Sequence, residues 1–295
     1  MADTTPLRMV VRRATDQLAA AGVPTPKVDA EELAAWLLGV NRTRLYLTPL
    51  VSPSWADEYL SYVDRRAQRV PLQHIFGSVP FGGAQIAVGP GVFVPRPETE
   101  LLLQWGLAAI ADVRDPLVVD LCTGSGALAL GVAAARPDAR VIAVEQQAGA
   151  LAWARRNNEQ QLDAGGAGID LRGGDVLDAR VLGDVEGQVD LALVNPPYVP
   201  DGTPVPAEVA EHDPAEAVFA GPDGLALIRP LVSVLATLLH PGAVLALEHD
   251  DTQGESVPAL FAARKLFADV TDHDDLAGRP RFVTATRVSL RRHTT

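Results

Sequence analysis

The chain has 295 residues, of which 47% are hydrophobic, a length that suits two domains better than one and supplies ample material for a packed core. Its formal net charge of −12 disfavours direct binding of DNA or RNA, because gripping a phosphate backbone normally requires a basic face. The single cysteine, Cys122, excludes an intrachain disulfide and favours a reducing compartment such as the cytoplasm. The sequence has neither a leader-like N-terminus nor a run of roughly 18 uncharged apolar residues, so we expect no membrane anchor.

Residues 1–70 are predicted to form a small helical domain. Apolar residues recur at roughly helical spacing in Pro6 to Ala21 and in Val28 to Leu38, and Trp55 to Arg69 is predicted to be a third helix. Residues 71–95 change character, because short apolar stretches there are broken by glycine and proline. We therefore expect a β-hairpin that links this helical domain to the rest of the chain.

Residues 96–295 show helices and strands in alternation, the pattern of a doubly wound α/β sheet. The predicted strands are 117–121, 140–145, 168–172, 189–194, 242–248, 268–272 and 281–288. Between the last two strands a Gly278-Arg279-Pro280 turn leaves no room for a helix, so we expect them to be antiparallel. The fold class is therefore α/β, with a doubly wound seven-stranded sheet.

A glycine turn follows the first strand of this predicted sheet. It reads Cys122-Thr123-Gly124-Ser125-Gly126 and leads directly into a strong helix former, Ala127 to Ala135. Glycines let the backbone approach a ligand closely, and the helix N-terminus offers unpaired N–H groups. Glu145 ends the next strand at the spacing of a carboxylate that binds ribose hydroxyls. Nicotinamide dinucleotides, flavins and S-adenosylmethionine all use this pattern, so it indicates a nucleoside-containing cofactor without choosing one.

The tetrapeptide Asn195-Pro196-Pro197-Tyr198 follows the buried strand 189–194. Two consecutive prolines push Asn195 and Pro196 toward extended conformations, which leaves their carbonyl groups free to accept from a ligand. The Asn195 side-chain oxygen and the Pro196 carbonyl could then hold both hydrogens of a planar –NH2 group, with Tyr198 packed on its face. This arrangement suits methylation of an amide or an exocyclic amine, although a proline-stiffened turn is the plain structural alternative.

Three further segments of the chain also have the form of known sequence motifs. Val94 to Glu100 has the form Pro-Arg-Pro-x-Thr-Glu, Ala220 to Leu225 the form Gly-x-Asp-Gly-Leu, and Leu247-Glu248 is followed by Gln253. Together with the run Asp120 to Ala127 and with Asn195 to Tyr198, they resemble the HemK/PrmC protein-(glutamine-N5) methyltransferases of class 1 peptide chain release factors. The resemblance covers almost the whole chain, more loosely over the first seventy residues, and implies a Rossmann-like class I methyltransferase fold.

The resemblance implies S-adenosyl-L-methionine as the cofactor and the glutamine of a release factor's Gly-Gly-Gln motif as the methyl acceptor. The implied cofactor-binding residues are Asp120, Cys122, Thr123, Gly124, Ser125 and Gly126 for the methionine part, Glu145 for the ribose, Asp175 and Val176 for the adenine, and Asn195. The implied substrate-binding residues are Asn195, Pro196, Pro197, Tyr198 and Arg96, of which Asn195, Pro196 and Tyr198 are the catalytic set. Cys122 is expected to be a small packed residue beside the cofactor rather than a nucleophile.

Several alternatives remain open on the sequence alone. Arg96 could be structural, Asp175 could be a solvated loop carboxylate, and Glu211-His212-Asp213-Pro214 departs from the family's usual Glu-Pro pair. The same chemistry could act on a ribosomal-protein glutamine or an adenine amine, and the glycine turn alone would also suit a nicotinamide-dependent oxidoreductase or a nucleotide-binding module. The six histidines show no metal-ligand spacing, so no metal is expected, and we expect a monomer.

Overall fold

The computed structural model describes residues 4–289, which divide into two compact units. The first unit comprises residues up to Ser78 together with Val205–His212, and the second comprises Val79–Pro204 and the residues from Asp213 onward. Within residues 4–289, no helix combines the length and the apolar character that crossing a membrane demands.

The helices are α1 Leu7–Ala20, α2 Pro26–Leu38, α3 Pro53–Ala67, α4 Leu72–Phe76, α5 Thr99–Ala109, α6 Ala127–Ala135, α7 Ala148–Asp163, α8 Ala179–Leu182, α9 Ala207–His212, α10 Ile228–Leu238 and α11 Ser256–Ala263. The strands are β1 Thr5–Pro6, β2 Leu50–Val51, β3 Ser78–Phe81, β4 Ala84–Ala87, β5 Leu117–Leu121, β6 Arg140–Glu145, β7 Asp170–Gly173, β8 Val189–Val194, β9 Leu239–Glu248, β10 Phe267–Asp274 and β11 Pro280–Arg287.

The first unit is a helical bundle in which α1, α2 and α3 enclose an apolar core. The buried face of α1 recurs at helical spacing and consists of Leu7, Val10, Val11, Ala14 and Leu18. Tyr59 of α3 is fully buried, and its hydroxyl donates to the Ala30 carbonyl of α2 at 2.9 Å. This bond satisfies the polar end of an otherwise apolar ring, as a buried tyrosine requires.

A partly buried ion cluster holds Val205–His212 within the first unit. Arg66 Nε donates to Asp29 Oδ2 at 2.7 Å, and its Nη2 donates to Glu208 Oε1 at 2.6 Å. Arg69 also binds Glu208, through Nε to Oε1 at 3.0 Å and through Nη2 to Oε2 at 2.6 Å. Two guanidinium groups therefore fix one carboxylate of α9, a strong and directional arrangement.

The second unit is built on a seven-stranded sheet of order β10-β11-β9-β8-β5-β6-β7. Strands β5 to β9 pair in parallel, whereas β11 is antiparallel to both β9 and β10. The strand order reverses between β5 and β8, and in such sheets ligands bind outside the carboxyl ends of the strands at this switch point. The register pairs Leu121 with Val194, so the residues that follow these two strands leave the sheet at the same edge.

The predicted strands 117–121, 140–145 and 189–194 agree with β5, β6 and β8 at both ends, and the expected antiparallel pairing of the last two strands is confirmed. The hairpin is shorter than predicted, because it consists of β3 and β4 only. Residues Leu72–Phe76 instead form the short helix α4, which begins after Pro71 and ends at Gly77 with a positive φ of 78°.

Candidate active site

The two predicted motifs begin at neighbouring strand ends. The glycine turn follows Leu121 of β5, and Asn195 follows Val194 of β8. Because these strands are adjacent and parallel, both motifs leave the sheet at its switch point. The fold thus places together two segments that lie about seventy residues apart in the chain.

The glycine turn depends on backbone conformations that side chains rarely adopt. The φ angles of Cys122, Gly124 and Gly126 are 64°, 59° and 86°. A Cβ built on Gly124 would meet no atom of the described residues within 4 Å, whereas one on Gly126 would lie 3.2 Å from Leu130 Cδ1. The turn is therefore packed against α6 at Gly126 and open at Gly124, where a ligand can approach the backbone.

Asp120 is a polar residue in an otherwise apolar strand and is only 1% exposed. Its Oδ2 accepts from Thr123 Oγ1 at 2.5 Å and from the Ala129 N–H at 3.1 Å. Its buried Oδ1 has no hydrogen-bond partner among the described residues. Burial raises the pKa of this carboxyl to about 7. A buried, unpaired carboxylate oxygen suits a cationic donor such as the ammonium group of a bound amino acid.

Glu145 closes the glycine turn from β6. Its Oε2 accepts from the Gly124 N–H at 2.8 Å, and its Oε1 accepts from the Gln147 N–H at 2.7 Å. Burial raises the pKa of the carboxyl, although these backbone donors act in the opposite direction. Each oxygen retains a lone pair, so the same carboxylate can fix the turn and accept from a hydroxyl group.

Cys122, Asp175 and Val176 surround the same end of the sheet. Burial, followed by the negative charges of Glu145, Asp120 and Asp175, raises the pKa of the Cys122 thiol, which makes it a poor nucleophile. Asp175 Oδ1 accepts from the Leu177 N–H at 2.9 Å and caps a turn, and Val176 is buried in the core. The predicted adenine-binding roles of Asp175 and Val176 stay predictions.

Asn195 and Tyr198 are anchored by a chain of side-chain hydrogen bonds. Tyr198 Oη donates to Glu248 Oε1 at 2.9 Å, and Thr99 Oγ1 donates to Glu248 Oε2 at 2.8 Å. Asn195 Nδ2 in turn donates to Thr99 Oγ1 at 3.2 Å. The ring of Tyr198 packs against the apolar core of the second unit, and Pro196 is buried while Asn195 is half-buried.

The backbone of the tetrapeptide is held by Gln253 and Gly224. Gln253 Nε2 donates to the Tyr198 carbonyl at 3.0 Å and to the Asp223 carbonyl at 3.1 Å. A Cβ on Gly224 would overlap the Tyr198 carbonyl oxygen, and the φ of this residue is 71°. Only glycine fits this position without displacing the tetrapeptide.

Arg96 forms intramolecular contacts. Its Nη2 lies 2.6 Å from Asp213 Oδ2, and its Cζ lies 4.7 Å from the centroid of the Phe93 ring. Asp213, the aspartate by which the loop at 211–214 departs from the family's Glu-Pro pair, is the partner of Arg96. The contact supports a structural role, and substrate binding by Arg96 stays a prediction.

Comparisons with known proteins identify the family. The chain is 49% identical over 285 residues to the release factor glutamine methyltransferase of Mycolicibacterium smegmatis, covering 97% of this chain and 99% of that protein. The chain belongs to the release factor glutamine methyltransferase family. A second member, from Streptomyces coelicolor, is 50% identical over 279 residues, covering 93% of this chain and 96% of that protein. The predicted resemblance is therefore confirmed, and the oxidoreductase alternative is wrong.

Family models match both parts of this methyltransferase. The PrmC N-terminal domain matches residues 10–77, and the methyltransferase small domain matches residues 88–212. A solved structure of a 16S rRNA N2 G1207 methyltransferase from Thermus thermophilus superposes with a TM-score of 0.51 at 23% identity, covering 71% of this chain and 49% of that one. These findings confirm the predicted Rossmann-like class I methyltransferase fold.

Sequence reasoning missed the residues that support the tetrapeptide. Thr99, Gly224, Glu248 and Gln253 all lie in the segments that carry the family resemblance, yet no role was predicted for any of them. A sequence signal was available, because polar residues and a glycine within such motifs often contact the site residues. Their partners could not be predicted, since Thr99 and Glu248 lie 149 positions apart.

Proposed function

We propose that this enzyme transfers the methyl group of S-adenosyl-L-methionine to the side-chain amide nitrogen, N5, of the glutamine in the Gly-Gly-Gln motif of class 1 peptide chain release factors. The observation that carries the proposal is the adjacency of the glycine turn after Leu121 and Asn195-Pro196-Pro197-Tyr198 after Val194. The names of the relatives, which specify release factor glutamine, support the same acceptor.

The residues at the glycine turn fit the proposed cofactor. Asp120 Oδ1 would accept from its ammonium group, Glu145 from its ribose hydroxyls, and the open backbone at Gly124 would lie against it. Asp175 and Val176 would lie beside the adenine. When bound, S-adenosyl-L-methionine supplies a methyl group made electrophilic by its sulfonium.

The chain's own task is to position a weak nucleophile. A glutamine amide nitrogen reacts poorly because its lone pair is delocalised into the carbonyl. Asn195 Oδ1 and the Pro196 carbonyl would each accept one of its hydrogens, which orients the nitrogen and stabilises the positive charge that develops on it. The surplus proton leaves to water, and the enzyme forms no covalent intermediate.

We further propose that residues 1–70 recognise the release factor, that residues 71–95 link the domains, and that residues 96–295 carry out methyl transfer. Residues 1–78 contain nine Lys and Arg against eight Asp and Glu, so the acidity of the chain resides in the remainder. A nearly neutral helical unit suits a protein partner. The enzyme would act as a cytoplasmic monomer without binding nucleic acid directly.

The test is transfer of labelled methyl groups from S-adenosyl-L-methionine to a purified class 1 release factor. The control substrate is the same factor with its Gly-Gly-Gln glutamine changed to alanine. Label on the unaltered factor alone supports both the activity and the acceptor. Label on neither factor, or transfer only to a ribosomal protein, would overturn the proposal.

A variant of Asn195 tests the proposed role of the tetrapeptide. Asn195→Ala should lose most turnover, because one of the two acceptors for the substrate amide is gone, while binding of S-adenosylhomocysteine stays within a few-fold of wild type. Turnover by steady-state label transfer and affinity by calorimetry separate the two effects. Near-normal turnover would contradict the assignment.

A further inference from the structure

Thr99 contacts Asn195, and Glu248 contacts both Thr99 and Tyr198. We propose that Thr99 and Glu248 are positioning residues that fix the orientation of the Asn195 amide, so that its oxygen and not its nitrogen is presented to the substrate. This inference rests on the proposed function, because it explains how one of the two acceptors of the substrate amide is kept in place.

Glu248 accepts hydrogen bonds from two hydroxyl groups. This residue is 2% exposed, and its two oxygens accept from two hydroxyls, those of Tyr198 and Thr99. A threonine hydroxyl has one hydrogen to donate and two lone pairs. Because the hydrogen of Thr99 is committed to the carboxylate, Thr99 can offer only a lone pair to Asn195.

That lone pair selects one end of the amide. Asn195 Nδ2 lies 3.2 Å from Thr99 Oγ1, as a donor facing an acceptor should. The amide oxygen lies on the other side of Cγ, where it can accept an N–H of the substrate. Were the amide reversed, its oxygen would face the lone pair of Thr99 and its NH2 group would face the substrate's own NH2 group, which accepts no hydrogen bond there.

The direction of donation along this chain of hydrogen bonds depends on the ionisation of Glu248. A protonated Glu248 could donate to Thr99, which would free the Thr99 hydrogen for the oxygen of a reversed Asn195. Burial raises the pKa of the Glu248 carboxyl, and the negative charge of Glu98 acts in the same direction. The hydroxyls of Thr99 and Tyr198 and the charge of Arg281 lower it. As the pH is lowered, turnover should therefore begin to fall at a higher pH than it would if Glu248 had the pKa of an ordinary glutamate.

The experiment compares Thr99→Val, which keeps shape and removes the hydroxyl, with Thr99→Ser, which restores it. At saturating S-adenosyl-L-methionine we expect kcat to fall ten- to hundredfold in T99V and to recover to within about threefold of wild type in T99S. Binding of S-adenosylhomocysteine should change less than about threefold in both. Thr284→Val is the matched control, because Thr284 is a buried threonine of the same unit that hydrogen-bonds His273, and it should leave kcat unchanged.

The pH profile provides an independent measurement if T99V folds poorly. In Glu248→Gln, whose side chain cannot ionise, kcat should be reduced and the acidic limb of its pH profile at saturating cofactor should disappear. Wild-type kcat in folded T99V, or an unchanged acidic limb in E248Q, would overturn the inference. Absence of methyl transfer by the wild-type enzyme would instead refute the proposed function, so the two failures are distinguishable.

Discussion

Asp120 is a carboxylate in an unfavourable location. The residue lies in β5 among apolar neighbours, and one of its oxygens lacks a partner among the described residues. Burial without full hydrogen bonding disfavours the ionised form, which accounts for a pKa of about 7. Such a group is poised to release its proton when a cation arrives beside it.

The affinity for S-adenosylhomocysteine should therefore depend on pH. Below the pKa of Asp120 the apoenzyme must lose a proton before it can pair with the ammonium group, so the dissociation constant should fall roughly tenfold between pH 6 and pH 8. Calorimetry across this range provides the measurement. Asp120→Asn should bind weakly with a much flatter pH dependence, and a flat profile for the wild-type enzyme would refute this role of Asp120.

Gly224 shows how a single hydrogen atom can determine the position of a loop. Gly224→Ala should move the tetrapeptide, because the added methyl group would overlap the Tyr198 carbonyl oxygen. We expect at least a tenfold loss of methyl transfer. Gly278→Ala is the control: its φ is 75° but its Cβ would meet no described atom within 4 Å, so it should cost only about 1–2 kcal/mol of stability and leave turnover intact. Equal turnover in the two variants would contradict the prediction.

At the scale of the elements, Asn157 of α7 joins the hairpin to the glycine turn. Its Oδ1 accepts from the Ala87 N–H at 2.8 Å, and its Nδ2 donates to the Ala87 carbonyl at 3.0 Å and to the Ser125 carbonyl at 2.8 Å. The residue is buried, and one amide therefore fixes β4, α7 and the turn relative to one another. The glycine turn is thus held in place by a helix that follows it in the chain.

Asn157→Ala should weaken both the fold and cofactor binding. Each buried backbone group left unpaired costs about 1–3 kcal/mol, so thermal denaturation should show a clear loss of stability and calorimetry a weaker affinity for S-adenosylhomocysteine. Asn158→Ala is the matched control, because Asn158 bonds the backbone of Ile169 next to β7 and does not touch the turn. It should lower stability while leaving affinity unchanged, and similar affinity losses in both variants would argue against a specific role for Asn157.

The elements also show where local patterns are informative. Strand β5 was predicted at both ends because an apolar run there stops at a glycine turn. Strand β9 begins at Leu239, earlier than the predicted residue 242, because Pro241 and Gly242, which usually indicate a turn, lie inside the strand. Strand β7 is shifted from 168–172 to Asp170–Gly173, because it lies at the sheet edge and lacks a continuous apolar run.

On the scale of the whole molecule, the sequence predicts the elements and the motifs better than the contacts that stabilise them. The switch point follows from strand order, and the motifs there could be identified from glycines and prolines. The pairing of Thr99 with Glu248, or of Arg66 with Glu208, joins residues more than a hundred positions apart, and nothing in either local segment identifies the partner. Such contacts depend on tertiary packing, which periodicity does not encode.

The ion cluster of the first unit should lose its stabilising effect at acidic pH. Although burial acts to raise it, the hydrogen bonds from Arg69 and Arg66 hold the pKa of Glu208 at about 2. Since this is below the value in the unfolded chain, the contribution to stability is present above about pH 4.5 and is lost as the pH falls toward 2.

Glu208→Gln should release Val205–His212 at neutral pH. Removing one partner of a largely buried pair costs roughly 3–5 kcal/mol, so limited proteolysis between residues 199 and 214 should accelerate. Asp184→Asn is the control, because it removes a carboxylate from the exposed pair with Arg172 and should cost less than about 1 kcal/mol. Unchanged cleavage in E208Q would show that the cluster does not hold this segment.

The single thiol of the chain provides a natural spectroscopic and chemical reporter. Because Cys122 lies in the glycine turn with its pKa raised, folded enzyme should react slowly with maleimides and disulfide reagents, and unfolded enzyme at the rate of an ordinary cysteine. Because Cys122 is partly exposed, the rate at which native enzyme is alkylated would report on access to the turn without an engineered label. Binding of S-adenosylhomocysteine should slow this alkylation. The alkylation rate of Cys122 Sγ would therefore report ligand binding in the unmodified protein.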